Sequence, residues 1–526
     1  MTAIEARMQV QKGFLWIVVL GAAIVFGFYM AVDSPLLILA TLGLVWLATL
    51  PYHGRISAMM AITTYGSAFM LPMINGRPFL WEVSALLGWS GIVMLVILRR
   101  TDPEFGANLR RYRWIVLASV AYTCVLFYLM RTHGFGIRAM GGDRMGGRVY
   151  IQQVACAVFP LLFCALRFEE RSFYRLYVAH LLLSFTFMIS DFALAGGSDL
   201  WWVFYFLDVA NDAISFEIGT SATGMRRFQS FTLVAVAMYQ LLLIMHPMRR
   251  LFNRHAIYMV PLFLVILAMG LPGGHRGVLI MFAGIGLLCA WGQRLFTMPR
   301  ILLTGAIAVL LLSVVYTAAR DLPLAAQRTL AVLPGIDLNP VAVEDARATF
   351  EGRVTMREVG LQLIPSYLWR GRGFGLSVEA VPFYGFDPYG VVTEHVSMGR
   401  FYNGPIGLMV NTGIPGTVCL VGFLVFVSRV AYRILVHVRT HGAEDRFSRM
   451  CCVIASLWLT QTFVFFVIHG DAEFAMNTFG LLAGTVITCD WALRRRARDL
   501  VPETATQPRP SFVPALSPIA ALPHRA

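Results

Sequence analysis

Apolar residues run in blocks about as long as a bilayer-crossing helix, separated by short stretches where arginine, glycine and proline gather. Lipid offers no hydrogen-bond partners to open backbone, so a run of about 20 apolar residues crosses a membrane as a helix. Fourteen runs qualify, at approximately 13–32, 35–50, 57–74, 79–98, 114–131, 150–167, 174–195, 229–247, 256–272, 277–293, 301–319, 405–428, 450–468 and 474–493. The first run is full length and a second follows at once, so it reads as a retained helix rather than a cleaved signal. The pattern predicts an all-α polytopic membrane protein with about fourteen transmembrane helices.

Composition narrows the function. Of 526 residues 58% are hydrophobic and 14% charged, and the mean hydropathy is +0.67. A soluble domain carries about 25% charge, so a water-soluble enzyme is excluded, as is a disordered chain. The net charge of +14 does not point to nucleic acid, because the basic residues lie between apolar runs rather than on one surface. Lys12 is the one lysine; the other basic residues are arginines, the better fork for phosphate.

The arginines also orient the chain. With a cytoplasmic N-terminus, the short inner loops hold Arg99, Arg100, Arg110, Arg111, Arg113, Arg167, Arg171, Arg175, Arg249, Arg250, Arg254, Arg294 and Arg300. The basic stretches 429–449 and 494–498 fall on the same side. This excess of positive charge predicts an even number of spans with both termini cytoplasmic. Five regions follow: N-terminal helices (1–219), central helices (220–319), a large outer loop (320–404), C-terminal helices (405–498) and a proline-rich tail (499–526), expected to be disordered. All eight cysteines fall in or beside spans, which predicts no structural disulfide, and no Cys/His spacing suits a metal.

Three outer segments carry candidate chemistry. Residues 196–228 place Trp201, Trp202, Tyr205, Phe206 and Phe216 among acidic residues, as a segment lying on the membrane surface would, and end in Arg226-Arg227. Gly273-Gly274-His275-Arg276-Gly277 opens the tenth span, where free N–H groups and a guanidinium suit an anion. In the large loop, residues 342–364 suit one or two amphipathic helices stopped by Pro365; a glycine-rich return and Glu394, His395, Arg400, Tyr402 and Asn403 follow. Together these segments would bring Arg226, Arg227, Arg276, Arg353, Arg357, Arg400 and His395 to one face. Such a cluster suits a diphosphate, with a histidine or carboxylate taking a proton from an attacking hydroxyl. The glycine-rich loop with His133 and Arg138 to Arg148 reads as lipid contact or a gate. His469, Asp471 and Glu473 read as helix caps in a tight turn.

Several of these motifs, in this order, resemble the O-antigen ligase/polymerase superfamily of integral membrane glycosyltransferases. Tyr402-Asn403 through Gly413-Ile414-Pro415-Gly416 is similar to the family's His-Asn followed by Gly-x-x-Gly. Glu351-Gly352-Arg353, Pro365 and Gly371-x-Gly373-Phe374-Gly375 resemble its Gly-Arg, helix, Pro and glycine run, and His275-Arg276-Gly277 its Ser-Arg-Gly. The likeness covers roughly 220–490. The family's histidine is Tyr402 here, and the Asn-Pro-Asn that often follows its earlier arginine is absent.

The resemblance implies a GT-C-like architecture in a bacterial inner membrane and metal-independent, cofactor-free transfer on the periplasmic face. The substrate would be an undecaprenyl-diphosphate-linked oligosaccharide, with the bilayer, chain-length regulators and export proteins as partners. The expected site comprises His395, Glu394 or Tyr402 as catalytic groups, and Arg226, Arg227, Arg276, Arg353, Arg357, Arg400 and Asn403 on the substrate. The expected activity is polymerisation of O-antigen or exopolysaccharide. Ligation to lipid A core or protein is the alternative, and a flippase fits less well, since the candidate charges sit at span ends and no internal repeat is visible.

Overall fold

The computed structural model describes residues 21, 35–72, 77–134, 147–196, 198–208, 228–252, 259–374, 395–396 and 398–499. Glu394, Arg226, Arg227, the first expected span apart from Gly21, the glycine-rich loop 135–146 and the tail beyond Asp499 lie outside them.

About 82% of the described residues are helical, and none of them forms a strand. The N-terminal half comprises α1 (Pro35–Thr49), α2 (His53–Thr64), α3 (Leu80–Ile97), α4 (Phe105–Arg111), α5 (Arg113–His133), α6 (Gly147–Cys156), α7 (Phe159–Ala165), α8 (Glu170–Leu183) and α9 (Phe185–Gly196). Central α10 (Gln229–Met245), α11 (Met259–Gly270), α12 (Gly277–Gly292) and α13 (Met298–Ala318) follow. Then come α14 (Leu324–Leu330), α15 (Pro340–Tyr367), α16 (Gly404–His441), α17 (Arg446–Phe463) and α18 (Ala475–Asp499). Eight helical segments among the described residues are long and apolar enough to cross a membrane, and three shorter apolar helices accompany them. The protein is an all-α, multi-pass membrane protein.

Small residues set the helix spacing, as they do where lipid supplies no hydrophobic drive. A Cβ on Gly480 would meet the Cys156 backbone at 2.5 Å, and one on Gly284 would meet Thr460 at 2.5 Å. Trp458 is fully buried where α16, α17 and α18 meet, 5.3 Å from Phe479 and 6.2 Å from Phe423 by ring centroids. Its indole donates to Ser428 Oγ at 2.9 Å, so the core's largest side chain leaves no polar atom orphaned. By contrast α13 buries no residue, and Leu302, Val309 and Leu310 are each about two-thirds exposed. Such a helix is stable only with lipid around it. All eight cysteines are free thiols.

The main elements among the described residues of the segment 320–404 are α14 and α15. Asn339 caps α15 by accepting from the Val341 amide at 3.0 Å, with Pro340 at the first helical position. Pro365, expected to stop this helix, lies inside its last turn, and the helix continues to Tyr367. A proline there forfeits only the hydrogen bond to residue 361, and the chain leaves the helix before more is lost. Beyond it, Gly371 (φ +69°) meets Gly413 (φ +65°), the break inside α16. A Cβ on Gly371 would lie 2.7 Å from the Asn411 carbonyl oxygen. The two strands of chain are joined by Arg372 N–H to Val410 O, Gly373 N–H to Asn411 O (both 2.8 Å) and Ile414 N–H to Leu368 O (2.7 Å). The two glycine motifs thus dock on each other and fix α15 against the first turns of α16.

In the aromatic segment expected on the membrane surface, Ser198–Tyr205 is a short 3-10 helix with Trp201, Trp202 and Tyr205 well exposed, while residues 209–227, Phe216 included, lie outside the described residues. Arg148 pairs with Glu82 at 3.2 Å and lies over the Phe79 ring, which ties it into the bundle rather than leaving it for lipid phosphate.

Candidate functional site

Four pieces of chain converge at one end of the bundle: the turn before α12, the middle of α15, the segment leading into α16, and the turn between α17 and α18. A buried ion pair locks the first two together. Arg328 on α14 binds Asp345 of α15 and the Gly274 carbonyl, and donates to Thr349 Oγ1 at 2.8 Å. Thr329 Oγ1 donates to the Leu271 carbonyl at 3.0 Å. This presses the Gly273–Arg276 turn, which needs glycine's left-handed conformation at Gly274 (φ +69°), against the helix that carries Arg353. Arg276 completes the contact by donating to the Ala346 carbonyl.

Tyr402 is the hub of the site. Its backbone is left-handed (φ +50°), uncommon outside glycine, and its amide donates to Asp471 Oδ1 at 3.1 Å. The His469 ring stacks on the Tyr402 ring at 5.4 Å between centroids, and the His395 ring tilts against it, also at 5.4 Å. The Arg353 guanidinium lies over the same ring, Cζ 5.5 Å from its centroid. One turn further along α15, Arg357 donates to the Ile468 carbonyl at 3.2 Å, while its Nε is buried without a partner among the described residues. His469 Nε2 lies 3.8 Å from Asp471 Oδ2, and its Nδ1 is buried without a partner among the described residues.

The electrostatics are lopsided. Arg353, Arg276 and Arg357 make no ion pair among the described residues; Asp471 acts on Arg353, and Asp345, already bound to Arg328, acts on Arg276. Burial depresses the Arg353 pKa from the ordinary arginine value; Tyr402 and Asp471 oppose this, and Arg276 and Arg357 add to it. Burial likewise lowers Arg276, against the pull of Asp345. The guanidiniums stay charged. His469 is also lowered, by burial first; Asp471 opposes, and Arg353, His275 and Arg357 reinforce it. At neutral pH its imidazole is therefore uncharged and able to accept a proton.

Of the residues expected here, Arg276, Arg353, Arg357, His395 and Tyr402 gather as described. Arg400 and Asn403 lie beside them in other roles. Arg400 pairs with the buried Glu473 and lies over Phe474; burial works against its charge, and Glu473 more than offsets this, raising its pKa. Asn403 caps α16, its Oδ1 accepting from the Ile406 amide at 3.1 Å. His469 and Asp471, expected as caps, are instead in the cluster. Asp471 opens a one-turn 3-10 helix without a side-chain cap bond, because its carboxylate is turned to Tyr402 and His469.

A half-buried guanidinium cluster with surplus charge, beside a neutral imidazole and a carboxylate, suits a polyanionic leaving group with proton abstraction nearby. No protein family matches this chain, and no curated protein matches it in sequence.

Proposed function

We propose that this chain is a polysaccharide polymerase, an integral membrane glycosyltransferase that extends undecaprenyl-diphosphate-linked glycan on the periplasmic face of a bacterial inner membrane. The observation that carries the reading is the convergence of Arg276, Arg353 and Arg357, none in an ion pair among the described residues, around Tyr402 and His469. The motif resemblance supplies the substrate class, with fourteen spans, cytoplasmic termini and a GT-C-like arrangement as parts of the same reading. Chain-length regulators and export proteins are the partners it implies.

In this scheme a hydroxyl of the incoming lipid-linked repeat unit attacks the anomeric carbon of the growing chain. The new glycosidic bond forms as the bond from that carbon to the diphosphate oxygen breaks, and the electron pair leaves with undecaprenyl diphosphate. The three arginines stabilise the charge that grows on the departing diphosphate. The hydroxyl proton passes to the neutral imidazole of His469, and Asp471 stabilises the imidazolium that results. His395, also against the Tyr402 ring, orients the acceptor.

Deleting the gene and sizing the surface glycans, with an assay for lipid-linked repeat units, tests this. Accumulated single lipid-linked units and lost polymer are the expected result. Long lipid-linked polymer that never reaches its acceptor would make the chain a ligase. Units trapped on the cytoplasmic side would make it a flippase, and an unchanged profile would end the glycan reading.

A further inference from the structure

A second basic site lies at the other end of α16. That helix has 38 residues, so at about 1.5 Å per residue, and allowing for the break at Gly413, its C-terminus lies up to about 57 Å from its start beside Tyr402. There a cavity of about 640 Å³ opens between the ends of α4, α16 and α18. Arg111, Arg433, Arg494, Arg498, His437 and Asp490 supply its charged and titratable lining.

Its charges do not cancel. Asp490 is buried and already satisfied: it accepts from Tyr112 Oη at 2.7 Å and pairs with Arg494 at 3.0 Å. Arg433 reaches it only at 3.7 Å and is half exposed. Arg498 is taken by Glu104 at 3.2 Å. The Arg111 side chain makes no ion pair or hydrogen bond among the described residues. Arg111 and Arg433 therefore face a space whose one lining carboxylate among the described residues, Asp490, is shared with Arg494 and Tyr112 and reaches Arg433 only at 3.7 Å.

The surroundings identify the anion's company. Tyr432 lines the same cavity, is more than half exposed, and stacks on Trp291 at 5.9 Å. Trp114, at the start of α5 and three residues from Arg111, is also more than half exposed and stacks on Phe426 of α16 at 6.1 Å. Exposed apolar side chains follow along both helices, among them Leu117 and Val425. Arginines beneath an aromatic belt that continues into an apolar face match a phospholipid, phosphate in the cavity and chains along the helices.

We propose that this cavity binds a phosphate-bearing anion through Arg111 and Arg433, with the headgroup of an acidic phospholipid as its source. The site is independent of the transfer reaction.

The test compares full-length protein with Arg111→Gln, with the Arg111→Gln/Arg433→Gln double variant, and with Arg110→Gln. Arg110 is exposed on the same helix but does not line the cavity. Each is reconstituted into phosphatidylcholine vesicles containing phosphatidylglycerol, and the phosphatidylglycerol retained on extraction is counted by native mass spectrometry. Each is also titrated with inorganic phosphate in detergent. Arg111 has no partner to strand, so its single variant keeps the test valid if the double variant folds poorly. Retention roughly tenfold lower in the double variant, partly lower in Arg111→Gln and unchanged in Arg110→Gln supports the lipid headgroup. Unchanged retention, with phosphate binding to the wild type but not to the double variant, places a free phosphate in the same site. Equal values for all variants with both probes, or an equal loss in Arg110→Gln, would overturn the proposal.

Discussion

Arginines at the two ends of the bundle are used in opposite ways. Around the C-terminal ends of α16 and α18 most are saturated. Arg449 donates to the carbonyls of Ile244 (2.8 Å), Met245 (3.3 Å), Ala443 (3.2 Å) and Glu444 (2.6 Å). Arg496 pairs with Glu170 and with Asp445 at 3.0 Å and lies over Phe447. Around Tyr402, Arg353 has an aromatic ring and no ion pair among the described residues, and Arg276 and Arg357 donate to one carbonyl each. Both ends are arginine-rich in sequence, so frequency does not separate structure from site. Pairing does. A saturated guanidinium holds helices together, whereas a half-buried one without a counter-charge is stable only if the fold accepts the cost, and an incoming anion removes that cost.

Substitution breaks this comparison most sharply at Arg353. Arg353→Ala should reduce transfer by about a thousandfold or more while the protein stays in the membrane, because it removes a charge needed as the leaving group develops. Arg276→Ala should follow closely. Normal long polymer from either variant would remove the clamp. Arg353→Lys should rescue only in part, since an ammonium cannot fork onto two phosphate oxygens.

His469→Ala should slow turnover by about a hundredfold, within the range for a general base. His395→Ala should chiefly raise KM for the acceptor. The reverse pattern, with kcat lost at His395 and kept at His469, would exchange their roles.

Arg400 tests the saturated kind of arginine within the site itself. Arg400→Gln strands the buried Glu473 and should lower stability by about 1–3 kcal/mol, discounted because Arg400 is partly exposed. Arg400→Met with Glu473→Leu should recover the melting temperature and keep transfer. Loss of transfer in that well-folded double variant would mean that Arg400 contacts substrate.

The smallest effect is on pH. The rate needs unprotonated His469, so activity is present above its depressed pKa and falls with acid below the ordinary histidine value of about 6.5. Asp471 raises that pKa, so Asp471→Asn should move the acid limb to lower pH. A limb that stays in place, or moves up, would detach His469 from the chemistry.

The all-α, multi-pass character was legible because lipid lets an apolar run cross only as a helix, whereas the fourteen runs compare with eight sufficiently long apolar helical segments and three shorter ones among the described residues. Arg276, Arg353 and Arg357 were legible too, since charge among glycines or on an amphipathic helix stands out in so apolar a chain. The turn holding His469 and Asp471 was not. A few polar residues between two spans look the same whether they cap helices or face a site, and only the fold brings Tyr402 to them. Pro365 misled because a proline's effect depends on how many helical residues follow it. Arg328 passed unnoticed because nothing local marks a charge that will be buried against a partner 17 residues along the chain.

The central claim is that the arginines without counter-charges hold a diphosphate leaving group. Purified protein in vesicles, supplied with undecaprenyl-diphosphate-linked repeat units, should convert them to longer lipid-linked glycan and release undecaprenyl diphosphate. Arg353→Ala, inserted equally well, should do neither. Equal conversion by both proteins, or none by the wild type, would contradict the account.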